Sequence, residues 1–225
     1  MIPKLLIPSA ALTAVFAACT ASAATVLSGE SLGQSPWADN TNIPANYGSN
    51  LPGTPNVGLT WSPVFTTPDS AHNGWQAYPG WQSSGGNGAY QMGAGTTGTS
   101  YDILFTPDAG YAVVLTSVGL DIWSGGGTNW QLTATVYDST GTTVLSPAIP
   151  LTPSASDPDG NSTWSLGGYT GGDGQALLLR FQIQTATAGH NIAIDNLSFD
   201  QLQVPEPSAA LLGGLGALAL LRRRR

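Results

Sequence analysis

Residues 24–203 read as an all-β domain, an antiparallel two-sheet β-sandwich, on three observations. Apolar runs of about five to twelve residues recur along the chain, each bounded by glycine, proline or aspartate. Between residues 24 and 204 no useful length of sequence carries apolar residues at the helical i, i+3, i+4, i+7 spacing. Charge is sparse, at 8% of residues, yet seven tryptophans and several Val/Ile/Leu runs require a core that a disordered chain lacks.

The elements follow in order. Residues 25–32 open with a short strand. Residues 33–58 are rich in turn formers and read as an ordered loop wrapping the domain. Residues 59–65 suit an edge strand, where Pro63 is tolerated. Residues 72–91 combine glycine with Trp75, Tyr78, Trp81 and Tyr90, and read as an aromatic loop region. Residues 101–105 are a strand bounded by Pro107 and Gly110. Residues 112–123 are long enough for a bent strand kinked at Gly119. Residues 131–138 alternate strictly, Leu132, Ala134 and Val136 against Thr133, Thr135 and Tyr137. Asp138-Ser-Thr-Gly141 then reads as a hairpin turn into a strand over 142–145. Residues 176–184 and 191–199 supply two further strands, the last with Ile192, Ile194 and Leu197 inward. Strands at this spacing without helices indicate a sandwich.

Charge is unevenly placed. Of thirteen acids only Glu206 lies outside residues 24–204, and of six bases only Arg180 lies inside, so the body holds twelve acids against one base, a net of −11. Such a surface repels nucleic acid and anionic polymers. It suits neutral polysaccharide, cationic partners or Ca²⁺, and it also serves plain solubility.

Both ends carry targeting patterns. Lys4, an apolar stretch over 5–18 and the small-x-small sequence Ala21-Ser22-Ala23 form a secretory signal with a helical apolar region. Cleavage between Ala23 and Ala24 removes residues 1–23 and with them Cys19, the only cysteine, which excludes disulfides and thiol catalysis from the mature chain. A rival reading makes Cys19 a lipidated terminus, with Phe16 standing where a lipobox has an aliphatic residue. At the other end, Val204, Pro205, Glu206 and Pro207 form a stiff extended tetrapeptide, because proline restricts both itself and its predecessor. Residues 208–221 are uncharged and apolar, and Arg222, Arg223, Arg224 and Arg225 form a basic stop for the cytoplasmic side. As a helix the apolar run reaches only ~21 Å. A bilayer core is ~30 Å thick, so arginine snorkelling has to recover part of the difference. The competing reading is a permanent anchor, in which Pro-Glu-Pro has no role.

This tripartite tail resembles the PEP-CTERM sorting signal of Gram-negative bacteria. The resemblance implies that exosortase, a membrane-embedded enzyme, reads residues 204–225 at the inner membrane and cuts near Pro-Glu-Pro. It also implies delivery to the cell surface or to an exopolysaccharide matrix, with a structural or adhesive role. Residues 100–200 resemble, more faintly, a galactose-binding-like jelly roll, and residues 191–199 are similar to the closing strand of extracellular adhesive modules. In such modules a structural Ca²⁺ often sits near the chain ends. Asp195, Glu30 and Asp39 are the oxygen donors for one here, against the plainer reading of Asp195 as a turn cap or a solvated charge.

Trp75, Tyr78 and Trp81 are the candidates for stacking on sugar rings; the alternative is that the tryptophans plug the sandwich as core lids. A specific carbohydrate-binding protein is therefore the second functional reading. Catalysis has little support, and no catalytic residue is assigned. His72 and His190 lack metal-ligand spacing, and Asp102, Asp108 and Asp121 form no signature. A glycan-active enzyme is the third reading. Arg180, inside an apolar strand, is expected to balance an acid.

Overall fold

The computed structural model describes residues 24–28, 41–62, 74–83, 86–92, 97–122, 131–151, 162–185 and 192–205, with tail residues 214–216, 218, 219 and 222. Twelve strands lie among them: β1 (Thr25–Leu27), β2 (Thr41–Asn42), β3 (Val57–Ser62), β4 (Trp75–Ser83), β5 (Gly86–Met92) and β6 (Ser100–Pro107), then β7 (Tyr111–Ile122), β8 (Gln131–Asp138), β9 (Val144–Leu151), β10 (Ser162–Thr170), β11 (Leu177–Thr185) and β12 (Ile192–Gln203). One sheet runs β10-β7-β12-β5-β4-β2, with β1 also on β12; the other runs β3-β6-β11-β8-β9. Each of the ladders joining these strands is antiparallel. From β5 onward most successive strands change sheet, the jelly-roll-like pattern of an all-β sandwich.

The core lies between the sheets, filled by alternate residues. Tyr101, Ile103 and Phe105 of β6, Leu132, Ala134 and Val136 of β8, and Leu179, Phe181 and Ile183 of β11 are buried from one side. Val113, Leu115, Val118 and Leu120 of β7 and Ile194, Leu197 and Phe199 of β12 meet them from the other. Phe105 and Phe199 join the two sheets edge to face, centroids 5.2 Å apart. Burial pushes the Tyr101 phenol up to about 12, because the phenolate would lose its hydration.

The inward phase of β7 and β12 switches partway along each strand. In β12 it passes from Ile194 to Leu197, and the register with β7 shifts there. Asn196 takes a left-handed φ of 48°, and Asp195 stabilises it: Oδ1 accepts from the Asn196 N–H at 2.7 Å and Oδ2 from Nδ2 at 3.3 Å. Gly119 stands opposite Asp195, and a Cβ there would lie 2.9 Å from the Asp195 carbonyl oxygen. The expected irregularity at Gly119 is thus a paired bulge, needed because two backbones approach too closely for a side chain.

Three stretches differ from expectation. Residues 72–91, read as a loop region, contain β4 and β5, which pair with each other and extend the larger sheet. A register shift between Tyr78 and Gln82 absorbs Pro79 and Gly80 within the strand. The strand β10, not anticipated, carries Gly167 and Gly168 at φ 77° and 63° inside its own register shift. In these first two cases a bulge accommodates residues that ordinarily terminate strands. β9 also runs further than expected, with Pro147 and Pro150 tolerated because the strand is a sheet edge.

The edge position of β3 is as expected, and its free side is closed by residues 45–50. Ala45 O accepts from the Trp61 N–H at 2.8 Å. The Ser49 hydroxyl accepts from the Leu59 N–H at 2.7 Å and donates to the Leu59 carbonyl at 3.0 Å. One side chain thereby does the work of a neighbouring strand, which removes a site for unwanted pairing.

Candidate functional site

Three places in the fold bear on function: the C-terminal join, the aromatic cluster around Trp75, and the outer face of the five-stranded sheet.

The join is direct. β12 remains paired with β7 through Gln203, opposite Tyr111. The next N–H, of Val204, donates to Gly110 O at 2.8 Å. Gly110 is held in turn, its N–H donating to Asp173 Oδ1 at 2.7 Å. Val204 is half-buried and Pro205 is exposed, so the chain leaves the sandwich within one residue of the last strand. Glu206, Pro207 and Arg223 to Arg225 lie outside the described residues. In the tail, residues 214–216, 218, 219 and 222 are helical, and among the described residues no helix is long and apolar enough to cross a membrane. The signal region with Ala21 and Ala23 also lies outside them; Ala24 is exposed, and β1 begins at the next residue.

Trp75 is a core residue, which corrects its reading as a sugar-stacking ring. Only 2% of it is exposed. Its indole N–H donates to Ser62 O at 3.0 Å and reaches Asp102 O at 3.3 Å. Trp61, Tyr101 and Phe181 surround it edge to face at 4.9, 5.5 and 6.2 Å. No ring face is left for a ligand. Tyr78 and Trp81 lie in β4, and their side chains are outside the description.

Asp195 is also buried, at 3% exposure, on the outer side of the seven-stranded sheet. The cross-strand row beside it runs Asn42, Gln76, Gln91, Ala193, Asp121, and Gln76 is 1% exposed. Both Asp195 oxygens bond Asn196, the local-cap role weighed against Ca²⁺ ligation. Glu30 and Asp39, its expected co-ligands, lie outside the described residues. Among the described residues no three His, Cys, Asp or Glu side chains group as a metal site.

The outer face of the five-stranded sheet carries a polar array that is half-buried at Arg180, Asp102 and Gln182 and exposed at Gln184. Arg180 binds Asp102 through both prongs, Nε to Oδ1 and Nη2 to Oδ2, each at 2.8 Å. The pair sits side by side across β11 and β6. The guanidinium also lies over the Tyr137 ring, 5.0 Å from its centroid. Asp102 raises the Arg180 pKa further, so this side chain stays charged. One step along the sheet, Gln184 Nε2 donates to Thr133 Oγ1 and to Gln182 Oε1, both at 3.0 Å. Sequence reasoning expected Arg180 to balance an acid, but it missed the array. The available signal was Arg180, Gln182 and Gln184 at every second position of one strand, which puts them on one face.

At the sheet end nearest the join, the turn after β8 is set by Asp138. Its Oδ1 accepts from the N–H groups of Thr140 and Thr142 at 3.1 Å and from the Thr140 hydroxyl at 2.7 Å. Hydroxyl bonds from Thr143 and Thr140, with the Thr142 and Thr143 backbone, hold its carboxyl well below the usual range.

These features define an antiparallel β-sandwich whose last strand runs straight into a linear C-terminal signal. Residues 203–225 match the PEP-CTERM protein-sorting motif, and this chain therefore carries the mark of an exported protein sorted by exosortase. No curated protein matches the chain. Among solved structures it is similar to an arabinose-bound MgGH51 α-L-arabinofuranosidase, with TM-score 0.36 and 12% identity, covering 79% of this chain and 24% of that one. The chain thus spans about a quarter of that enzyme. It is also similar to the CBM22-1 xylan-binding domain of Paenibacillus barcinonensis Xyn10C, with TM-score 0.38, 13% identity, and coverage of 75% and 97%. A third is TmCBM61 in complex with β-1,4-galactotriose, with TM-score 0.32, 11% identity, and coverage of 74% and 99%. At these scores the likenesses carry no functional weight.

Proposed function

We propose that this protein is a structural or adhesive component of the surface or exopolysaccharide matrix of a Gram-negative bacterium. In this reading exosortase trims the tail at the inner membrane, and the sandwich is the part that works outside the cell. The observation that carries it is the direct join of a complete sheet to the sorting motif. Hydrogen bonding holds the chain through Val204, and Pro205 is exposed. A cut C-terminal to Val204 leaves β12 whole, whereas a cut upstream removes part of a strand that completes the core. The acidic body supports neutral rather than anionic polysaccharide as the surrounding material.

The test compares one host with and without its exosortase. Intact mass of surface-extracted protein should show a C-terminus at or beyond Val204 and no Arg225 when the enzyme is present. Without the enzyme the tail should be retained. Arg225 present in every surface molecule of the exosortase-containing host overturns the processing reading.

A further inference from the structure

We infer that the outer face of the five-stranded sheet is a binding platform for a neutral, hydroxyl-rich glycan chain. The inference deepens the matrix reading above and rests on it.

Strand alternation builds the face. In β8, Leu132, Ala134 and Val136 are buried in the core, so Thr133, Thr135 and Tyr137 lie on the opposite side, where Thr135 is itself buried and Thr133 and Tyr137 are half-buried. The same phase in β11 sends Leu179, Phe181 and Ile183 inward and Arg180, Gln182 and Gln184 outward. Register brings the two sets together, with Arg180 opposite Thr135 and Gln182 opposite Thr133. On the outer face of the other sheet Gln76 and Asp195 are buried, whereas on this one Gln182 is half-buried and Gln184 is exposed.

The chemistry of the face selects its occupant. Two bonds use both amide protons of Gln184 and leave its Oε1 as an acceptor. Gln182 accepts one of them through Oε1, which leaves its amide protons as donors. A donor and an acceptor side by side match vicinal hydroxyls, each of which gives and takes a hydrogen bond. Arg180 is fixed by Asp102, and its Nη1 makes only a long 3.5 Å contact with Gly141 O, so that nitrogen can still donate to a ligand oxygen. The Tyr137 ring lies under the Arg180 guanidinium and helps hold it beside these polar groups. The array is already hydrogen-bonded without ligand, which lowers the ordering cost of binding.

Charge narrows the class. The body carries a net of −11, but the Arg180 and Asp102 charges on this face cancel. An anionic polymer would meet the repulsion of the rest of the body, and a cationic partner finds Asp102 already paired. An uncharged polyhydroxyl chain meets neither obstacle.

The experiment uses protein exported by the native host and runs it through native gels cast with hydroxyethylcellulose, galactomannan, soluble starch or alginate. At least one neutral polymer should retard it, and alginate should not. Gln182→Ala and Gln184→Ala should each weaken retardation about fivefold, the effect of one lost hydrogen bond. Tyr137→Ala should weaken it about threefold to fivefold, by releasing the Arg180 guanidinium that the ring holds in place. Melting curves of the two glutamine variants should match the parent, which separates lost binding from lost folding. The inference is overturned by no retardation in any neutral polymer, by retardation in alginate alone, or by folded glutamine variants that run like the parent. The intact mass of the same preparation keeps the two readings apart: an unretarded protein with a trimmed tail refutes the platform and leaves exosortase processing standing, and a retarded protein with an intact tail refutes processing and leaves the platform standing.

Discussion

Replacing Trp75 by alanine should unfold this protein more readily than any change at an exposed aromatic. The ring is 2% exposed and packed edge to face against Trp61, Tyr101 and Phe181. Large-to-small changes of a buried tryptophan cost about 3–5 kcal/mol, through lost transfer energy and the cavity left behind. Two features place Trp75→Ala in the upper part of that range. Three aromatic pairs are lost together, and the Ser62 carbonyl loses the indole N–H that bonds it at 3.0 Å. For a domain of this size each kcal/mol moves the melting temperature by about 2–4 °C, so a loss of roughly 8–20 °C is expected. Trp75→Phe keeps part of the ring contact and should lose less than half of that. The assay is thermal unfolding of the exported protein, followed by circular dichroism, on parent and both variants. A Trp75→Ala variant melting within about 2 °C of the parent would show that the ring does not brace the two sheets, and the core assignment would fail.

Two further outcomes follow from backbone and charge. Gly119→Ala drives a Cβ to 2.9 Å from the Asp195 carbonyl oxygen, so the paired bulge must shift; a loss of about 1–3 kcal/mol is expected in urea unfolding, and an unchanged midpoint refutes the close approach. The Asp138 carboxyl is depressed in the folded state, so its stabilisation is complete above its unfolded pKa of about 4 and is lost as pH falls through the lower folded value. Asp138→Asn should therefore flatten the decline in melting temperature between about pH 5 and pH 2, and an identical decline in parent and variant would contradict the assigned role.

Much of the sandwich was legible along the chain, for reasons tied to particular strands. β8 alternates apolar and polar residues without interruption and was bounded correctly at both ends. The Asp138 turn was legible because the aspartate bonds its own following backbone, a purely local interaction. β4, β5 and β10 were not, because glycine and proline argue locally for loops. Their strand character comes from neighbours such as β12 and β7, far away in sequence, and from bulges that absorb the unfavourable residues.

The same division runs through function. By itself the sequence determined the sorting signal, since an extended proline-rich tetrapeptide, an apolar run and a basic cluster act through their linear order. It also determined the acidity of the body and the β class. Only the tertiary structure decided which side chains are available. Trp75 lies in the core because β3, β6 and β11 close around it. Arg180, Gln182 and Gln184 stand together on the outer face of their sheet because strand phase turns them away from that core. Alternation tells which residues share a side of a strand, but burial of that side depends on sheets brought together from distant parts of the chain.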